Sequence, residues 1–334
     1  MWSESPTGGN GVCAPTGAPQ WHPRLPDMPR SGRFCIECEG VAVTSPVELI
    51  RTFSGLNGAD FTPLDGGINS DTWLVEHQGS RYVAKRVPSP SLADLVTGCE
   101  VASALADAGF VTGRPVPTSD GRLLLIDHGL ALLQFVPGRE LVGETDQDQY
   151  LMGETLAGIH AAGDPARGPS SAAFMADWLA PEATGVKDHA WLVRAIESVR
   201  RDTDSVALTW SALHTDPAPE AFVHDDSTGV TGLIDWAGSQ RGPVLYDVAS
   251  AVMYLGGTEQ AAAFLSAYQS NAPFVAEEMQ HLDAFRRFRE TVQGAYFARR
   301  LATGDLTGGI DGAENQKGLS DAQRRLAVLG LDTA

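Results

Sequence analysis

From residue 46 onward the apolar positions follow two successive spacings, and the change between them divides the chain. Leu49, Ile50 and Phe53 fall at helical spacing, and Gly55 ends that run. Three short β-rich runs follow, Phe61 to Leu64, Ser70 to Glu76 and Ser80 to Val87, separated by Asp65-Gly66-Gly67 and His77-Gln78-Gly79. A helix is predicted from about Ser91 to Ala108, stopped at Gly109. Two more strands, Arg122 to Asp127 and Ala131 to Phe135, turn at His128-Gly129. The pattern thus predicts five antiparallel strands with one inserted helix over residues 46–137.

After Pro137-Gly138 the spacing is helical: Asp146 to Ala162, a run from Trp191, Val248 to Leu255, and His281 to Leu301. The exception is a predicted hairpin, with Phe222-Val223 in one strand, Val230 to Ile234 in the other and Asp226-Ser227-Thr228-Gly229 as the turn. The expected class is α+β, with a β-rich lobe at 46–137, a mainly helical lobe at 138–334 and a nucleotide between them. No internal repeat is present.

Residues 1–45 show neither period and are rich in Gly, Pro and Ser, so they are expected to be a disordered extension. The 334 residues suffice for two lobes, each with its own core. A net charge of −18 and a pI near 4.7 argue against a nucleic-acid partner, which needs a basic surface. Cys35-Ile36-Glu37-Cys38 has half a zinc-ribbon spacing, but no second pair follows. No run reaches the roughly 20 apolar residues of a membrane span, and the N-terminus has no signal-peptide core, so a cytoplasmic protein without a membrane partner is expected.

The chemistry concentrates around the hairpin. Asp216 precedes it and Asp235 follows it, nineteen residues apart. Phosphoryl transfer needs such a pair, one carboxylate to orient and deprotonate a hydroxyl and one to hold Mg²⁺ against nucleotide phosphates. Gly66 and Gly67 would let backbone N–H groups approach a phosphate, and Asn69 or Ser70 would add a side-chain donor, although Asp-Gly-Gly is also an ordinary turn. Lys85 is one of only three lysines against twenty-one arginines, and a compact ammonium at a strand end suits a point contact with phosphates. Glu100 on the following helix is placed to pair with it. Gln134 and Val136, at the junction of strands and helices, would offer an adenine its backbone carbonyl and N–H.

Together these segments resemble the aminoglycoside phosphotransferase family of small-molecule kinases, over roughly residues 55–305. The resemblance rests on Gly66-Gly67-Ile68-Asn69, Val83-Ala84-Lys85, Phe135-Val136-Pro137-Gly138, Leu156 to His160, His214-Thr215-Asp216, Ile234-Asp235-Trp236 and Gly242 through Asp247. It implies a protein-kinase-like two-lobe fold, ATP (GTP is not excluded) and Mg²⁺ as cofactors, and a small-molecule or short-peptide hydroxyl as acceptor. It further implies Lys85 on the α/β-phosphates, Glu100 orienting it, Asp216 as base and Asp235 as metal ligand. Asp247 would accept hydrogen bonds from the catalytic-loop backbone, and His214 would brace that loop.

One departure bears on activity. The family's loop carries a glycine where this chain has Thr215 and a metal-binding asparagine where it has Ala221. Either Glu220 replaces the lost oxygen ligand, or one Mg²⁺ on Asp235 suffices, or the protein is a catalytically silent member that binds nucleotide or a partner. Four retained polar functions, Lys85, Glu100, Asp216 and Asp235, favour an active enzyme.

Overall fold

The computed structural model describes residues 46–50, 53, 56–64, 69–168, 174–204 and 206–331. The extension at 1–45, with Cys13, Cys35 and Cys38, lies outside the described residues, as do Gly66 and Gly67. A short helix α1 (Pro46–Ile50) precedes strands β1 (Asp60–Leu64), β2 (Asp71–His77) and β3 (Ser80–Arg86); helix α2 (Leu92–Asp107) and strand β4 (Leu130–Gln134) follow. The four strands form one antiparallel sheet in chain order. Alternation along β3 and β4 gives this sheet two apolar faces. Tyr82, Ala84, Leu130 and Leu132 pack with Ile50 and Phe53. Val87, Ala131 and Leu133 pack with Leu95 and Cys99 of α2. Lys85, paired in register with Thr72 and Ala131, therefore projects toward α2.

The expected fifth strand at 122–127 is not formed. Leu125 makes a single bridge to Leu130, and residues 126–128 tighten into a 3₁₀ turn closed by Gly129 at φ +58°. The open edge of β4 is occupied instead by residues 114–116: Gln134 N–H donates to Arg114 O and Val116 N–H to Leu132 O. Pro115, at the centre, has no N–H to extend the ladder.

The second half contains β5 (Arg139–Glu140), α3 (Asp146–Ala162), β6 (Ala166–Arg167), α4 (Ala190–Thr203), β7 (Thr209–Leu213), β8 (Phe222–Asp225) and β9 (Val230–Leu233). After them come β10 (Gln240–Pro243), α5 (Val244–Tyr254), α6 (Ala262–Asn271), α7 (Leu282–Thr303) and α8 (Gly312–Val328). The hairpin forms as predicted, with Phe222 opposite Leu233 and Asp225 opposite Val230. Helix α5 begins four residues before the predicted start because Pro243 caps it directly from β10, which puts Asp247 in its first turn. One large core of α3–α8 and the hairpin includes the fully buried Phe222, Tyr246, Phe264, Tyr268 and Phe285. Among the described residues no helix is long and apolar enough to cross a membrane.

The halves meet where α2 presses on the turn after Asp235. A Cβ at Gly98 would lie 2.2 Å from Trp236 O and 2.9 Å from Ala237 Cα, so only glycine permits this approach. Gly98→Ala is expected to cost about 1–3 kcal/mol, as overpacking does, and to reduce turnover by shifting α2. A thermal melt within one degree of wild type, with unchanged turnover, would show that the contact is not needed.

Candidate active site

Lys85 is 8% exposed and forms an ion pair with Oδ1 of Asp235. Asp235 follows β9 at φ +68°, in the left-handed region that aspartate tolerates better than most residues. Its side chain is 58% exposed, so the carboxylate faces the space between the halves. Desolvation pulls its pKa upward, but the Lys85 ammonium, His214 and the Ala237 N–H together hold it below the usual carboxylate range.

Glu100 does not meet Lys85. It is exposed, and among the described residues it has no ion pair. The reason lies in helix geometry. Leu95, Gly98, Cys99, Ala102 and Leu105 are buried. With Gly98 pressed on Trp236, Glu100 is rotated about 200° away, at 3.6 residues per turn. Beside it, burial pushes the Cys99 thiol up to about 12, with Lys85 opposing and Glu100 adding, so it carries no thiolate near neutrality.

Asp247 organises the loop that holds Asp216. It is fully buried, and its Oδ2 and Oδ1 accept from the His214 and Thr215 N–H groups at 2.7 and 2.8 Å. His160 Nε2 lies 3.2 Å from Oδ2, and Tyr268 Oη lies 2.7 Å from His160 Nδ1, which continues the chain into the core. His214 Nε2 donates to Ile234 O at 2.7 Å and its ring packs edge-on to Trp236, tying the loop to the hairpin strand that leads to Asp235. Thr215 adopts φ +74°, a conformation that costs a β-branched residue of order 1–3 kcal/mol. Its N–H bond to Asp247 and its hydroxyl bond to Gly238 O, at 2.9 Å, hold it there.

Asp216 is 58% exposed at the side chain. Its Oδ1 accepts from Tyr254 Oη at 2.5 Å and from Arg289 Nη2 at 2.8 Å. Arg289 is buried in α7 and also donates to Ser250 Oγ and Gln293 Oε1. Burial works against its charge, but Tyr246, Asp216, Tyr254 and Glu290 around it drive its pKa above the usual arginine value. Glu220 is exposed in the 3₁₀ turn Pro219–Ala221, while Ala221 is buried.

Of the remaining expected residues, Ser70 is half-buried before β2, and Asn69 is exposed, its Oδ1 accepting from Tyr296 Oη at 3.1 Å and from Arg300 Nη1 at 3.4 Å. The Gln134 N–H is already bonded to Arg114 O. Val136 lines a cavity of about 280 Å³ with Val111, Pro137, Val223 and Val230. Sequence reasoning missed Tyr254 and Arg289 on Asp216 and Tyr296 and Arg300 on Asn69. For Arg289, Tyr296 and Arg300 the available signal was the spacing of 289, 293, 296 and 300 on one predicted helix; Tyr254, on α5, had none.

The profile of the phosphotransferase enzyme family matches residues 60–284. A homoserine kinase of Methylobacillus flagellatus is 27% identical over 275 residues, 76% of this chain and 85% of its own length. Among solved structures, the choline kinase LicA of Streptococcus pneumoniae aligns with a TM-score of 0.66 at 17% identity, over 84% of this chain and 99% of that one. LicA has also been solved with AMP. A microcompartment-associated aminopropanol kinase aligns with a TM-score of 0.55 at 20% identity, over 86% and 98% of the two chains. These structures share the two-lobe kinase-like α+β fold.

Proposed function

Because the chain belongs to the phosphotransferase enzyme family and is a kinase of small-molecule hydroxyl groups, we propose that it transfers the γ-phosphoryl group of ATP, with Mg²⁺, to a hydroxylated metabolite. The observation that carries this reading is the pair of carboxylates flanking one hairpin. Asp235 is bound to a lysine, and Asp216 is open to solvent with one oxygen held by two donors.

With Oδ1 engaged by Tyr254 and Arg289, Asp216 presents its second oxygen to the acceptor hydroxyl. It orients that hydroxyl and takes its proton as the oxygen attacks phosphorus, giving ADP and the phosphate monoester. Lys85 exchanges its bond to Asp235 for the nucleotide phosphates, and adenine takes the Val136 edge of the linker. Asn69 and Ser70 would meet the phosphates, while Glu100, exposed and turned away from Lys85, takes no part in holding it.

The donors here suit Mg²⁺. Asp235 and Glu220 are exposed oxygen donors, and among the described residues no three His, Cys, Asp or Glu side chains gather as a metal cage. Mg²⁺ keeps several waters and is completed by phosphate oxygens. Asp235 would hold it, with Glu220 as second ligand in place of the oxygen that Ala221 lacks; bound there, the ion neutralises phosphate charge.

The test is ADP release and mass-detected phosphorylated product with ATP and Mg²⁺ over homoserine, choline, aminopropanol and an aminoglycoside. Turnover with at least one acceptor is expected. No product from any acceptor, with no thermal shift from ATP, GTP or ADP, would overturn the reading.

A further inference from the structure

Arg289, Gln293, Tyr296 and Arg300 recur at steps of four, three and four, so they form one stripe along α7. At one end Arg289 donates to the catalytic carboxylate of Asp216. At the other, Tyr296 and Arg300 both donate to Asn69 in front of β2. A molecule lying between Asp216 and Asn69 therefore lies against this stripe. The acids of α7 are engaged elsewhere: Asp283 with Arg286, and Glu290 with Arg325 of α8. The helix carries five arginines against two acids, and two of those guanidinium groups, Arg289 and Arg300, stand on this stripe.

Arg300 is built as a receptor. It is 3% exposed, its Nε donates to Asn315 Oδ1 at 2.9 Å and its Nη2 to Thr307 O at 2.8 Å, which fixes the guanidinium plane. Nη1 has only long partners: Tyr296 Oη and Asp305 Oδ2 at 3.3 Å and Asn69 Oδ1 at 3.4 Å. Charged N–H···O bonds settle at about 2.7–2.9 Å. Arg300 is already paired with the Asp305 carboxylate through Nη1, at 3.3 Å, so an anion that reaches Nη1 more closely replaces long contacts with a short one, at little ordering cost because the guanidinium is fixed. Tyr296 Oη, whose proton now goes to Asn69 Oδ1 at 3.1 Å, supplies a second donor once an anion takes the place of that oxygen.

We propose that Arg300 Nη1 and Tyr296 Oη bind a carboxylate of the acceptor, so that this kinase phosphorylates small hydroxy acids or hydroxy amino acids in preference to cationic alcohols. This rests on the phosphotransferase reading above and names its substrate class. Seven residues, about 10 Å of helix axis, separate Arg289 from Tyr296. The same two donors would also suit a γ-phosphate, and the test separates the sources.

Binding is measured by calorimetry on the full chain with ADP and Mg²⁺, using serine, homoserine and the next longer hydroxy amino acid, each against its carboxamide. At least one carboxylate is expected to bind roughly ten-fold or more tightly than its amide, the scale of a hydrogen-bonded charge. Tyr296→Phe should remove most of that ratio while leaving ADP affinity within two-fold. Arg300→Lys should do the same wherever it folds; because Arg300 also joins α7 to α8, Tyr296→Phe is the deciding variant. If no carboxylate binds more than two-fold better than its amide, or choline or aminopropanol is the better acceptor, the assignment is overturned. It is equally overturned if Tyr296→Phe weakens ATP but not ADP and leaves the carboxylate ligand untouched, since the anion is then the γ-phosphate. Selective carboxylate binding without turnover would refute the kinase reading and retain the subsite.

Discussion

Asp216→Asn is expected to lower turnover roughly 10²-fold or more, the usual contribution of a positioned general base, while ATP affinity stays within a few-fold of wild type. An asparagine amide can keep an oxygen toward Tyr254 and Arg289, which now bond Oδ1 at 2.5 and 2.8 Å, so the loop should hold its shape. The face toward the acceptor would then carry an NH₂ group, which cannot take the hydroxyl proton. Steady-state kinetics with ATP and acceptor varied separately gives the answer. Turnover within a few-fold of wild type would remove Asp216 from the chemistry.

Asp235→Ala should have two separable consequences. Nucleotide-free protein should melt lower, because Lys85, 8% exposed, loses its counter-charge. ATP should still raise the melting temperature, but the part of that shift that depends on Mg²⁺ should vanish along with turnover. Glu220→Ala is the graded companion: it should raise the Mg²⁺ concentration needed for half-maximal turnover, and Ala221→Asn on that background should recover part of the loss. An inert Glu220→Ala in an active enzyme would leave Asp235 as the sole protein ligand. A Mg²⁺-dependent shift that survives Asp235→Ala would exclude it as the metal site.

Much of the loop that holds Asp216 follows from side-chain types in order along the chain. The hairpin forms because alternating apolar residues flank Asp225 to Gly229, and Asp225 caps its turn through Ser227 and Thr228. Its ends carry Asp216 and Asp235 into the same region. Asp247 reaches the loop because Pro243 ends β10 and starts α5, which turns the carboxylate onto two backbone N–H groups. These features depend on contacts within about thirty residues of sequence.

What depends on longer range was decided by packing. Residues 122–127 have strand composition, yet residues 114–116 occupy the edge of β4, and composition does not register which of two segments arrives there. Glu100 was expected on Lys85, but Gly98 admits the Trp236 backbone so closely that α2 rotates the glutamate outward. Lys85 then pairs with Asp235, 150 residues away. Arginine positions on α7 were visible in the sequence; that Arg289 faces Asp216 while Glu290 faces Arg325 was not, because adjacent helical residues point about 100° apart. The sequence by itself determined the hairpin, the lysine strand and the two carboxylates, each specified by local spacing and turn chemistry. The tertiary structure alone decided which charges meet, since the rotation of α2 and α7 is set by their buried faces and not by the charged residues they carry.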